Sequence, residues 1–131
     1  MTAFLVDTHV WLWLQSSPEK LDTELLGRLG DESNDLLLSA ASSWEISIKY
    51  SLGKLKLPEP PQTYVPDRMR RSGTGSLPVE HVHALGVTEL PKLHRDPFDR
   101  LLIAQARALG LVLVTADPQI IRYDVTTEFV P

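Results

Sequence analysis

At 131 residues, with no cysteine and a formal net charge of −4, the chain has room for one domain and cannot rely on disulfides or thiolate zinc sites. The acidic balance argues against gripping nucleic acid through net charge alone, and no run approaches the roughly 20 apolar residues of a membrane-spanning helix. The N-terminus lacks the basic start and long apolar core of a signal peptide, because Asp7 and His9 interrupt it early, so a cytoplasmic location is expected.

Residues 3–7, AFLVD, are apolar on both faces and predict a buried parallel strand. A short helix through HVWLWLQ follows. SSPEKLDTELLGRLGD then sets Leu21, Leu25, Leu26 and Leu29 at helical spacing, with Ser17-Pro18 as cap and first turn. DLLLSA at 35–40 predicts a second buried strand. SSWEISIKYSLGK predicts an amphipathic helix whose stripe is Trp44, Ile48 and Leu52, with Gly53 near its end. LPEPPQTYVP at 57–66 is the marked break in composition and predicts a loop leading into a helix through Tyr64–Arg71. SLPV at 76–79 predicts a short strand, and EHVHALGVTEL a modest helix. DPFDRLLIAQARALG is a strong helix closed by Gly110, and LVLVTAD is the clearest buried strand. A short helix after Pro118 and a strand near VTTEF complete the chain. Strands alternating with helices predict an α/β sheet covered on both faces by right-handed crossovers.

Four acids occupy equivalent places in that scheme. Asp7 and Asp117 close strands, whereas Glu45 and Asp99 lie in the first turns of helices. In an open α/β sheet these positions gather at the carboxyl edge, where ligands collect. Each acid also has a local explanation. Ser42 and Glu45 fit a capping box, Asp96-Pro97-Phe98-Asp99 places a cap, a first-turn proline and a third-position acid, and Asp117-Pro118 fits another helix start. Asp7 resists this most, because Thr8 already stands beside it to cap. Together the four outnumber what capping requires, and like charges in one cleft raise one another's pKa unless a cation joins them.

Hard carboxylate oxygens suit Mg²⁺ or Mn²⁺. The four histidines, His9, His81, His83 and His94, form no convincing ligand set; His81 and His83 are two apart, and helix residues so spaced do not share a face. A carboxylate-held divalent ion polarises a phosphodiester and activates water, which makes a nuclease constellation without a histidine base or serine nucleophile. In that reading Asp7 is the central ligand with Asp99 opposite. Glu45 binds the ion or its water, Asp117 completes the rim, and the Thr115 hydroxyl holds a carboxylate or a water. Lys49, Arg68, Arg70, Arg71, Arg95 and Arg100 are the candidates to hold a nucleic-acid backbone. Trp11 and Trp13, two apart, cannot share one narrow stripe; with Trp44 and Tyr50 they offer either core or partner surface.

VDTHVWLW, SAASSWEISIK, HRDPFDRLLIAQA and LVLVTAD, in that order and spacing, resemble the PIN-domain family, and in particular the VapC-type ribonuclease toxins of bacterial toxin–antitoxin pairs. The resemblance covers nearly the whole chain and is least distinctive over 56–93. It implies a three-layer α/β/α sandwich with a central, mainly parallel sheet of four to five strands, and a single domain over 1–131. Carried over by motif, the family acids are Asp7, Glu45, Asp99 and Asp117, all present, around Mg²⁺ or Mn²⁺. It further implies endoribonuclease activity, a homodimer, inhibition by a small antitoxin, and DNA binding only through that antitoxin. The rival readings are a Mg²⁺-dependent DNA or flap nuclease and a non-catalytic PIN-like binder of RNA or protein. A dehalogenase-like phosphatase would want a second acid where His9 stands, a phosphoreceiver an acidic pair at the first strand end, and a P-loop enzyme a GxxxxGK[ST] run.

Overall fold

The computed structural model describes residues 1–131. Five strands, β1 (Ala3–Val6), β2 (Asp35–Ser39), β3 (Gly75–Leu77), β4 (Val112–Thr115) and β5 (Thr127–Phe129), form one sheet in the order β3-β2-β1-β4-β5, and every neighbouring pair is parallel. Six α-helices connect them: α1 (Thr8–Ser16), α2 (Thr23–Leu29), α3 (Ala40–Ser51), α4 (Pro61–Ser72), α5 (His81–Gly86) and α6 (Pro97–Leu109). The result is the expected three-layer α/β/α sandwich. The chain leaves β1 toward β2 and β3, then returns to pair β4 on the other side of β1. The carboxyl end of β1 is therefore the point where the winding reverses.

Alternation along the strands builds two cores. Phe4, Val6, Leu36, Leu38 and Val114 face Val10 and Trp11 of α1, Leu25 and Leu29 of α2, and Tyr64 and Val65 of α4. Leu5 and Leu113 face the opposite way, onto Leu102, Ile103 and Ala106 of α6 with Ile120 and Tyr123. Burial on both faces accounts for the apolar runs FLV and LVLV, which a half-exposed sheet would interrupt with polar residues. Gly110 ends α6 at φ 66°, a left-handed conformation that glycine adopts without a Cβ clash.

Three local expectations need correction. The 16–31 stretch is not one helix: a 3₁₀ turn at Pro18–Lys20 gives way to extended backbone at Leu21, and α2 starts afresh where Asp22 accepts a hydrogen bond from Leu25 N at 2.7 Å. α3 begins at Ala40 with Ser39 as its cap, so Ser42 is not the cap and Glu45 sits in the second turn. The Trp44–Ile48–Leu52 stripe also points outward, with Trp44 62% and Leu52 63% exposed. The face of α3 turned into the protein carries Ala41, Ser42, Glu45 and Ile46 instead. No helix is long and apolar enough to cross a membrane.

The two tryptophans of α1 divide as their spacing requires. Trp11 is fully buried and its indole N–H donates to Thr74 Oγ1 at 3.1 Å, fastening α1 to the segment entering β3. Trp13 is only half-buried, with the Lys20 ammonium 4.8 Å from its ring centre. Trp11→Ala should therefore destabilise the fold by about 3–5 kcal/mol, and Trp13→Ala by about 1 kcal/mol, as read from urea melts. Equal losses at the two positions would contradict this division of labour.

Candidate functional site

The site is assembled from the residue that follows β1. The Asp7 N–H continues the parallel ladder by donating to Val114 O at 2.9 Å, which fixes the carboxylate beside the end of β4. Its Oδ1 accepts from Val10 N at 3.0 Å, so Asp7 itself caps α1, contrary to the expectation that Thr8 would do so. Its Oδ2 accepts a 2.5 Å hydrogen bond from the Thr115 hydroxyl. Thr8 is instead turned toward α3: its hydroxyl donates to Glu45 Oε1 at 2.7 Å and lies 2.9 Å from Ser42 Oγ. The other carboxylate oxygen of Glu45, a residue only 1% exposed, receives the Lys49 ammonium at 2.5 Å.

The remaining acids arrive from α6 and from the loop after β4. Asp96 caps α6 by accepting from Phe98 N at 2.9 Å and Asp99 N at 3.1 Å, which orients the first turn and with it Asp99. Asp117 N donates to Thr115 Oγ1 at 3.0 Å, and Asp117 Oδ1 accepts from Gln119 N at 2.8 Å. Between these carboxylates lies His94, with Nε2 2.8 Å from Asp99 Oδ2 and 3.1 Å from Asp117 Oδ2. One donor atom from each of His94, Asp99 and Asp117 falls within 4.8 Å of the others, a grouping able to hold a metal ion.

Contacts thus run from Glu45 through Thr8 to Asp7, and from Asp7 through Thr115 and Asp117 to His94 and Asp99. The electrostatics agree. Burial raises the Asp7 carboxyl above its ordinary value, while the hydrogen bonds from Thr115 and Val10 pull the other way. Asp99 is pushed up from 3.8 to about 7, chiefly by burial, then by the neighbouring Asp96 charge, with smaller contributions from Asp7 and Glu45. Crowded, desolvated carboxylates with upward-shifted pKa values fit a divalent cation, whose charge would remove the repulsion.

The histidine was missed by spacing arguments, because its second partner, Asp117, is distant in sequence and only the fold unites them. The other histidines do not join the group: His83 is buried and its Nδ1 accepts from Glu80 N at 3.0 Å, serving the start of α5. The basic residues separate into two kinds. Arg68 is tied to Gln15, donating to Oε1 at 3.1 Å and to the carbonyl at 2.9 Å. Arg100 donates to the carbonyls of Pro91 and Val87, at 3.0 and 3.1 Å, and to the Tyr123 hydroxyl at 3.2 Å. Arg70 and Arg71 share Asp67 and face outward, and Arg95 is exposed beside Lys92 and His94 on the wall of a shallow depression of about 460 Å³. A second concavity, about 300 Å³, lies against α1 and is lined by Leu12, Trp13, Leu55, Leu57, Pro58 and Tyr64 among others.

Comparison with known proteins follows this geometry. The PIN domain family model matches residues 4–125, and the chain belongs to that family. Over 53 residues it is 64% identical to ribonuclease VapC16 of Mycobacterium tuberculosis H37Rv, a stretch that covers 40% of this chain and only 38% of that protein. Its fold is similar to that in the crystal structure of VapBC2 from Rickettsia felis bound to a promoter DNA fragment, with TM-score 0.76, 18% identity, and coverage of 99% of this chain and 100% of the other. DNA-bound VapBC from Salmonella typhimurium gives TM-score 0.70 at 19% identity, covering 100% of both chains. The chain is accordingly a PIN-domain protein related to the VapC-type toxins.

A pH prediction follows from Asp99. Between pH values near 4 and 7 the unfolded chain has released this proton while the folded, metal-free protein retains it. Folding stability should therefore fall as pH rises through that window and level off above it, the sign expected for an acid whose folded pKa is raised. Asp7 contributes in the same direction. Melting in EDTA should show the decline in wild type and a flatter profile in Asp99→Asn, with the variant the more stable at neutral pH. Stability that climbed through this window would be incompatible with the raised pKa.

Proposed function

We propose that the chain is a Mg²⁺- or Mn²⁺-dependent endoribonuclease toxin of the VapC type, held in check by a cognate antitoxin. The single observation that carries the reading is the hydrogen-bonded path from Asp7 through Thr115 and Asp117 to His94 and Asp99, with the Asp7 and Glu45 charges felt at Asp99. Nothing in ordinary capping requires four acids from four separate elements to crowd together in this way.

Asp7 and Asp99 hold the ion in this scheme, and Asp117 completes the rim. An ion so held would polarise the phosphodiester, position and acidify an attacking water and offset charge on the leaving oxygen. Asp7 is pre-oriented by Thr115 and the Val10 N–H, so it needs little rearrangement to serve. Glu45 is buried and already paired with Lys49, which suits it to orienting a water rather than adding another uncompensated charge. The Lys49 ammonium beside it is placed to face a phosphate oxygen as a point charge.

Because Arg68 and Arg100 are each tied to several protein acceptors, backbone binding falls to Arg95, to Arg70 and Arg71, whose shared partner is Asp67, and to Lys49, whose partner is Glu45. Such contacts position the RNA but read no bases. Partners are proposed on the same footing. Exposed Trp44 and Leu52 on α3 and Val82 and Leu85 on α5 suit burial by a second copy. The concavity against α1, where His9, Ser16, Ser17, Lys20 and Lys56 stand among the apolar side chains, suits an amphipathic antitoxin segment that also covers the cleft. DNA would be reached only through that antitoxin, and the chain acts in the cytoplasm.

Purified, antitoxin-free protein should cut RNA in Mg²⁺ or Mn²⁺, not in EDTA, and should act much more weakly on matched DNA. Asp7→Asn and Asp99→Asn should each lower cleavage by at least about a hundredfold while remaining folded, since asparagine also serves as an N-cap at position 7. Replacing Arg70 and Arg71 by alanine should weaken RNA binding and shallow its salt dependence, leaving any sequence preference intact. Cleavage that persisted in EDTA would refute the mechanism. Metal binding with no cut in any cellular RNA would leave a non-catalytic binder, and preferential cutting of DNA would make it a DNA nuclease.

A further inference from the structure

We propose that His94 supplies a nitrogen ligand to this metal centre, through Nε2, and so biases it toward first-row transition ions over Mg²⁺. The inference rests on reading the cleft as a divalent-metal site, and it adds a residue that the four-acid pattern does not contain.

Three observations support it. The first is metrical: adjacent ligands of an octahedral ion with bonds of about 2.1 Å stand about 3.0 Å apart. Nε2 lies 2.8 Å from Asp99 Oδ2 and 3.1 Å from Asp117 Oδ2, on either side of that spacing. The two carboxylate oxygens lie within 4.8 Å of each other, so the three donor atoms surround a space that one ion can occupy as the side chains draw in toward it.

The second is the scaffold behind the imidazole. The Tyr123 hydroxyl accepts from both Leu93 N, at 3.2 Å, and His94 N, at 2.7 Å. Arg100 fastens the same segment from below through Pro91 O and Val87 O, and it also reaches the Tyr123 hydroxyl. The backbone that carries the imidazole is thus held by two residues from other elements, which keeps the ring beside Asp99 and Asp117 while its side-chain torsions stay free to turn Nε2 onto an ion.

The third is how the acids divide. Both oxygens of Asp7 and both of Glu45 already accept hydrogen bonds or ion pairs from Val10, Thr115, Thr8 and Lys49. The Asp99 carboxyl group pairs with the His94 ring nitrogen alone, so moving the imidazole onto an ion frees that group at the same time. Imidazole nitrogen is a softer donor than carboxylate oxygen and adds little for Mg²⁺, which prefers oxygen and retains its waters. Mn²⁺ is the first-row ion nearest Mg²⁺ in its preference for oxygen, so a bias seen with Mn²⁺ sets the least that other first-row ions would show.

The test loads the full chain with Mn²⁺ and records pulsed electron paramagnetic resonance, which detects nitrogen bound directly to the ion without reference to activity. Wild type should show one directly coordinated ¹⁴N. The signal should persist in His9→Gln and disappear in His94→Gln. By titration, His94→Gln should bind Mn²⁺ at least about tenfold more weakly while Mg²⁺, measured by displacement of Mn²⁺, changes less than about threefold. Mn²⁺ bound without nitrogen coupling, or coupling that survives His94→Gln, would overturn this inference and leave the carboxylate centre standing. Failure of wild type to bind Mn²⁺ or Mg²⁺ at all would overturn both.

Discussion

The structure turns on a buried carboxylate at the end of its central strand. Asp7 lies where β1, flanked on both sides by parallel neighbours, hands the chain to α1, and it is 4% exposed. A lone ionised group there would be costly. Two fixed donors, the Val10 N–H and the Thr115 hydroxyl, offset part of that cost, yet the carboxyl remains shifted upward because burial outweighs them. The donors that do compensate it come from neighbouring elements, Val10 from α1 and Thr115 from the end of β4. β4 must end beside β1 to bring Thr115 to Asp7, and Asp117 follows two residues later because Thr115 Oγ1 also receives its N–H.

The four acids are consequently two couples with different freedom. Asp7 and Glu45 are inner and anchored, each with both carboxylate oxygens engaged by protein donors. Asp99 and Asp117 are outer and joined by His94, whose Nε2 reaches both carboxylates. Such a division suits a site that must hold shape when empty and rearrange little when filled: the inner couple is rigid, and the outer couple closes through one movable side chain. Lys49 completes the arrangement by balancing Glu45, the most buried of the acids, so only part of the cleft's negative charge is left uncompensated.

Much of this was legible in the chain because it depends on short-range grammar. Strand runs apolar on both faces required a covered parallel sheet, and the Asp96-Pro97 start and Gly110 end of α6 follow from local capping chemistry. The positions of Asp7 and Asp117 just past strand ends and of Asp99 in the first turn of α6 were likewise readable, since strand ends and helix starts share one edge in an α/β sheet, whereas Glu45 comes from the second turn of α3. What was not legible depended on tertiary choice. Ser39 and Ser42 are both competent caps, and only the length of β2 decides between them. The stripe of Trp44 and Leu52 has helical period but no sign saying which side is core; packing assigned the core side to Ala41, Ser42, Glu45 and Ile46. His94 carried no ligand spacing, because its partners come from two other segments.

The same distinction between free and committed groups bears on how an acidic protein could hold a polyanion. A count of arginines and lysines overstates the available positive charge. Arg68 joins α4 to the end of α1, and Arg100 fastens the 87–94 segment behind His94. Both act as multi-donor staples, a use to which the planar guanidinium is well suited. Among the six candidate contacts, the outward-facing ones stand at the end of α4 and at Arg95, and Arg70 and Arg71 are already shared with Asp67. Their attraction for phosphate is screened and modest on its own. Strong association of a phosphate with this edge therefore requires the carboxylate cleft to change sign locally, which a bound divalent ion would do. On this view the ion is as much a part of substrate binding as of bond cleavage, and the −4 net charge is no obstacle to acting on RNA.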